Sequence, residues 1–467
     1  MRLSNMSSHF LFQGVIWKSF SSEGLLVVRR WTMLTVFALC SMINAFQWIA
    51  YSIISDRVRD FYSVSLIAVD WLSMIYMLVY IPLVFPATWI LESGGLRITL
   101  LLGSFGNFLG SLMKCGSAQR HLFGLTFFGQ TVAAISQCFI LGLPAQLAAV
   151  WFPANQVALA TSVGVFGNQL GVALGFLIPP LIVHGGQQSG QHGIEDSHLP
   201  LTDETLELYG QQLLKVFVGV AIISAILFVL VLLVFQSSPD GTSPTNFESK
   251  VPTNYSHSLW KLAMNGNFRL ILLSYGVNAG CFYAIGTLLN QIFLHFFQGF
   301  DDRAGYVGLT ITLAGLVGSM IAGIVLAWSG KYKLVTAALY GGSCLSMVLF
   351  SLTMHLKVLW SVFLSSTCLG LFMTGYLPVG FEFAAQLTRP VPEGTSSGLL
   401  NCCAQVCGLI LIPTIGATIG HGHPSIANGI LVGLLAFGFA LTILVKSKNL
   451  PKETSTPTAM ITDSAVY

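Results

Sequence analysis

About a dozen apolar stretches fill this chain, and marks in its first half recur in its second at an offset near half of the 467 residues. Ala160-Thr161-Ser162-Val163-Gly164 answers to Gly394-Thr395-Ser396-Ser397-Gly398 (395 − 161 = 234), and Glu92-Ser93-Gly94-Gly95-Leu96-Arg97 answers to Trp328-Ser329-Gly330-Lys331-Tyr332-Lys333 (333 − 97 = 236). The aromatic-polar cluster Asn44-Ala45-Phe46-Gln47-Trp48 answers to Asn278-Ala279-Gly280-Cys281-Phe282-Tyr283 (283 − 48 = 235, with one residue of slip). A chain of two similar membrane halves moves solutes through the seam between them.

Composition agrees. Hydrophobic residues make up 54% of the chain and charged residues 8%, against about 25% charged in a soluble domain, and mean hydropathy is +0.76. A net charge of +3, with no basic run interleaved with aromatics, argues against a nucleic-acid partner and leaves the lipid bilayer as the surrounding phase. The nine cysteines are scattered through apolar stretches without metal-ligand spacing, so they read as small packing residues, and no cofactor is expected. The chain has no G-x-x-x-x-G-K-[ST] phosphate loop, no G-x-S-x-G elbow and no H-E-x-x-H pair. An enzyme is therefore not expected, and transport would run on gradients.

A helical crossing needs about 20 apolar residues. Helices are predicted near 31–55, 65–91, 97–116, 121–150, 155–184, 211–236, 268–296, 304–328, 333–354, 357–387, 392–420 and 424–446. They divide the chain into a cytoplasmic N-terminal segment (1–30), a six-helix half (31–236), a Pro-rich cytoplasmic linker (237–267), a second six-helix half (268–446) and a cytoplasmic tail (447–467). Fourteen Lys and Arg fall on the termini side against seven, Lys114 among them, on the other, which places both termini in the cytoplasm. The first 30 residues lack a signal-peptide pattern, and the outer loop near 184–210 is acidic. The expected setting is the plasma membrane, and the expected state a monomer.

Two carboxylates lie inside predicted spans, Asp70 toward the outer end of helix 2 and Glu382 toward the inner end of helix 10. An intramembrane charge costs about 3 kcal/mol even on a lenient insertion scale, so each needs a partner. One near each mouth suits gate-closing contacts better than a substrate counter-ion or a proton relay. The loop ending in Arg97 resembles the latch loop of major facilitator proteins, and the guanidinium offers a forked donor to a carboxylate or to helix C-terminal carbonyls. Its counterpart carries Trp328 where an acid is expected.

Near mid-span stand Gln137, Gln169, Gln405, Asn278 and Tyr283, with Trp48 in the outer half of helix 1 and Asn44 a turn before it. Any one glutamine reads equally well as an interhelical hydrogen bond, and Trp48 alone as a belt or packing residue. The pairing of Trp48 with Tyr283 across the pseudo-two-fold goes further. Two aromatic faces at a seam without a midplane acid suit a quaternary ammonium, which keeps its charge and donates no hydrogen bond. Glutamine amides then take an attached hydroxyl. Asn44, Gln169 and Asn278 are further candidates for the cavity wall, and Asp70, Arg97 and Glu382 for the gates.

The strings Asn44-Ala45-Phe46-Gln47-Trp48-Ile49, Asp70-Trp71-Leu72-Ser73-Met74, Phe139-Ile140-Leu141-Gly142-Leu143-Pro144, Phe166-Gly167-Asn168-Gln169-Leu170-Gly171, Gly308-Leu309-Thr310, Met373-Thr374-Gly375-Tyr376-Leu377-Pro378 and Ser396-Ser397-Gly398-Leu399-Leu400-Asn401 resemble the feline leukaemia virus subgroup C receptor-related family, from about Arg30 to Lys446. The resemblance implies an all-α, twelve-helix major facilitator fold and transport of choline and ethanolamine, with haem export as an older assignment. It implies a choline pocket on Trp48, Gln137, Tyr283 and Gln405, with Met77 beside it. Ala50, Gln146 and Trp328 stand where the family has Gln, Arg and Asp, so the pocket is kept while the inner latch differs.

The expected function is facilitative uniport of choline and ethanolamine, for which the membrane potential supplies about 2.3 kcal/mol per 100 mV. A haem exporter is the alternative. Haem would want a wide vestibule, narrowed by a bulky residue at Gly171, and His or Cys ligands, whereas the ten histidines lie mainly in loops and termini. A receptor or scaffold that binds without transporting is the second alternative.

Overall fold

The computed structural model describes residues 4–153, 156–184, 202–238, 255–297, 303–389 and 393–446; the centre of the expected linker (239–254), most of the acidic loop (185–201) and the tail (447–467) lie outside the described residues. Among the described residues the chain forms helices α1 (Ser4–Ile49), α2 (Ser55–Tyr62), α3 (Leu66–Cys115), α4 (Phe123–Ile140), α5 (Leu143–Trp151), α6 (Val157–Ile182), α7 (Asp203–Val234), α8 (Tyr255–Met264), α9 (Gly266–Phe296), α10 (Arg303–Ser329), α11 (Tyr332–Leu356), α12 (Leu359–Thr388), α13 (Glu393–Gly420) and α14 (Pro424–Leu444).

At 50 residues α3 is too long for one crossing, since about 75 Å of helix would face roughly 30 Å of hydrocarbon. It doubles back at Gly95 (φ 75°, ψ 178°), a conformation that residues with a Cβ avoid. Both ends of α3 meet Gln130, whose Nε2 donates to the Leu72 carbonyl while its Oε1 accepts from Lys114 Nζ. The predicted helices 2 and 3 are the two limbs of α3. Gly330, between α10 and α11, also has positive φ (61°) and stands 235 positions after Gly95 (330 − 95), so the internal repeat is a repeat of backbone geometry. With α3 crossing twice, the 11 helices apolar and long enough to span give twelve crossings among the described residues.

Several boundaries differ from expectation. α1 begins at Ser4, running back through the segment expected as a separate leader, and ends at Ile49 instead of 55, followed by a 3-10 turn at Ser52–Ile54. Predicted helix 4 breaks between α4 and α5 at Leu141-Gly142. α7 starts at Asp203 instead of 211, because the Thr202 hydroxyl accepts from the Thr205 amide and Asp203 and Glu204 favour the positive end of the helix.

The halves are α1–α7 and α9–α14. Within the first, glycines let α6 lie against α1: a Cβ on Gly171 would sit 2.1 Å from the Met42 carbonyl oxygen. Gly171 is therefore a helix-packing residue and not a cavity wall as expected. Ile222, Ile226, Met320 and Trp360 project outward as a lipid-facing belt. The halves close on each other at the end opposite the termini, hereafter the loop end, where Phe176 meets Gly305 and Gly308, and Asp70 meets Gly416.

Candidate functional site

α1 presents Trp48 one residue before it ends, and α9 presents Tyr283 from the other half. Their rings meet edge to face, with centroids 5.7 Å apart and planes at 84°. Trp48 backs onto Ile75, Tyr76, Ala133 and Ala134. Tyr283 lies against Gly408 of α13, where a Cβ would come within 3.3 Å of the Tyr283 ring and 2.7 Å of Met77 Sδ. The bare glycine lets Met77 reach the aromatic pair, so α1, α3, α9 and α13 converge here.

Gln137 stands one helical turn from Ala133 and Ala134, on the face that backs Trp48. Its Oε1 is buried and has no hydrogen-bond partner among the described residues. Gln405 is buried on α13, one turn from Gly408 on the same face. Two ring systems and a thioether thus meet at the seam, with one carboxamide a helical turn from Ala133 and Ala134 and another a helical turn from Gly408. Such a group offers quadrupole attraction to a cation and an open acceptor to a hydroxyl or amine.

Asn44 and Asn278 fall elsewhere. Asn44, expected on the cavity wall, faces the interior of its own half, where Nδ2 donates to Asn107 Oδ1 (2.7 Å) and to the Ala133 carbonyl (3.0 Å). Asn278 is wholly buried one turn from Ser274, which bonds to Thr442 and the Gly438 carbonyl inside the second half. Gln169 is half-buried on α6.

At the loop end Asp70, 3% exposed, accepts from Gln291 Nε2 at 2.8 Å, and Asn290 Nδ2 donates to Asp56 Oδ1 (2.7 Å) and Ser55 Oγ (3.3 Å). These bonds tie the first half to the second. Arg97 instead donates to the Leu232 carbonyl (3.0 Å) at the C-terminus of α7, a capping contact within its own half. Glu382 is exposed on α12. Sequence reasoning missed Asn290 and Gln291, an adjacent amide pair whose only signal was its place at the end of an apolar run, and it missed the buried polar group around Lys114.

Residues 37–412 match the model of the Major Facilitator Superfamily. The chain is 44% identical over 425 residues to the mouse choline/ethanolamine transporter FLVCR1 (90% of this chain, 75% of the relative) and 43% identical over 425 residues to human FLVCR2 (90% and 77%). Zebrafish flvcr2a is 42% identical over 445 residues (94% and 91%). A D-xylose–proton symporter structure superposes with a TM-score of 0.69 at 12% identity, covering 89% of this chain and 98% of that one, which shows the shared fold. The chain is a multi-pass membrane transporter and not an enzyme, and it belongs to the feline leukaemia virus subgroup C receptor-related family of the Major Facilitator Superfamily.

Proposed function

We propose that the protein is a facilitative uniporter of choline and ethanolamine, working as a monomer in the plasma membrane with both termini in the cytoplasm. The observation that carries this reading is the contact of Trp48 with Tyr283 across the seam. Relatives above 40% identity are named choline/ethanolamine transporters, which supports the substrate class. The aromatic pair holds the ammonium by its quadrupoles, Met77 packs beside it, and Gln137 and Gln405 take the hydroxyl or amine. Asp70 with Gln291, and Asn290 with Asp56, form the outer gate, closed here. Arg97 and Glu382 belong to the inner side, toward which the cage then opens.

The test is uptake of labelled choline, ethanolamine and haem by vesicles containing the purified protein, with potential imposed. Potential-driven choline and ethanolamine uptake is expected. Haem flux without choline flux would overturn the reading, and saturable choline binding without flux would favour a receptor.

A further inference from the structure

Lys114, expected among outer surface charges, is 3% exposed inside the first half, in the last turn of α3. Its Nζ donates to Gln47 Oε1 and Gln130 Oε1, both at 2.8 Å, and stands 5.8 Å from the centre of the Tyr51 ring. Among the described residues no carboxylate pairs with it. Amide oxygens, the Tyr51 face and the carbonyl ends of α1 and α3 accommodate the ammonium instead.

The same group seizes the end of α1. Gln130 Nε2 donates to the Gln47 carbonyl (2.7 Å) and to the Leu72 carbonyl (3.2 Å), and Ser73 Oγ donates to the Trp48 carbonyl (3.0 Å). Carbonyls in a last helical turn lack intrahelical donors. Here two of them, those of Gln47 and Trp48, are taken by side chains of α3 and α4, and Lys114 locks the amide that takes the first.

We infer that Lys114, through Gln47 and Gln130 and together with Ser73, positions the end of α1 and thereby sets the angle at which Trp48 meets Tyr283. The inference rests on the proposed reading of that pair as the substrate cage. Without the ammonium, two buried amide oxygens face each other with no donor between them, Gln130 turns away from the Gln47 carbonyl, and the indole loses its fixed backbone.

The experiment is equilibrium choline binding by the purified full-length protein, with thermal midpoints in parallel, for Lys114→Met, Ser73→Ala and Lys114→Arg in the native and Trp48→Phe backgrounds. Lys114→Met and Ser73→Ala should each weaken choline binding about five- to tenfold in the native background and less than about twofold in Trp48→Phe, the non-additivity expected of coupled residues. Their fall in thermal midpoint should be the same in both backgrounds, and Lys114→Arg, which keeps charge and donors, should recover most of the affinity. Equal loss of binding in both backgrounds overturns the inference. Should Lys114→Met fail to fold, Ser73→Ala, which removes one hydroxyl, decides alone. Trp48→Ala separates the two readings: native binding by it overturns the cage and this inference with it, whereas weak binding by Trp48→Ala beside native binding by Lys114→Met and Ser73→Ala overturns the inference alone.

Discussion

Trp48 and Tyr283 touch edge to face at 5.7 Å although they come from opposite halves of the molecule. A contact of this kind depends on the angle between the halves. It is tight when the loop end is closed, and it must loosen when the halves rock apart there, so under the proposed reading one pair of rings would both hold a cation and register which way the transporter faces.

Replacing either ring removes one wall of the cage. Trp48→Ala and Tyr283→Ala are each expected to weaken choline transport by about 1–2 kcal/mol, whereas Tyr283→Phe keeps the ring face and much of the activity. Labelled choline uptake at matched surface expression is the measurement, and wild-type uptake by Trp48→Ala would sink the idea.

Gln137 separates function from stability. Its Oε1 is buried and has no hydrogen-bond partner among the described residues, an arrangement that costs about 1–3 kcal/mol, so Gln137→Leu should leave the thermal midpoint unchanged or raise it while choline and ethanolamine flux falls several-fold. Gln405→Ala should lower the same fluxes. A drop in midpoint that matches the loss of flux would make Gln137 a structural hydrogen-bonding residue only.

Much of this was legible because it rests on local composition and on the repeat. Trp48 and Tyr283 stand out as matched aromatics, Gln137 and Gln405 as polar residues in apolar runs, and the segments Glu92–Arg97 and Trp328–Lys333 as matched loops. What escaped depends on where helices stop and which faces meet. Lys114 counts as an outer charge until α1 is seen to end beside it. Asn44 looks like a cavity residue until Asn107, from a limb sixty-odd positions away, is seen to take its amide. Gly171 passes for a cavity wall because nothing in the sequence says that the Met42 carbonyl occupies its flank.

The outer gate has its own test. Gln291→Ala leaves the Asp70 carboxylate buried with its amide donor gone, which should shift the protein toward the state open at the loop end. Leu288 lies beneath this contact, wholly buried beside Gly416. In a background without other reactive cysteines, Leu288→Cys should be labelled several-fold faster by an impermeant maleimide when combined with Gln291→Ala. Unchanged labelling would remove Asp70 and Gln291 from the gate.

Proton coupling needs a group that changes charge near neutral pH and senses the loaded site, and the proposed cage of Trp48, Tyr283, Met77, Gln137 and Gln405 contains no carboxylate, histidine or amine. Asp70 is engaged by Gln291, and Lys114 is enclosed by Gln47 and Gln130 within one half. A cationic substrate already carries one charge across the potential, about 2.3 kcal/mol per 100 mV, enough for roughly fifty-fold accumulation with no second ion. Choline uptake into vesicles should therefore follow the imposed potential and the choline gradient and ignore sodium. At clamped potential it should ignore a pH step as well. A several-fold loss of uptake on removing sodium or collapsing the pH gradient would show that Asp70 exchanges its amide partner for an ion during the cycle, and the uniport reading would fall.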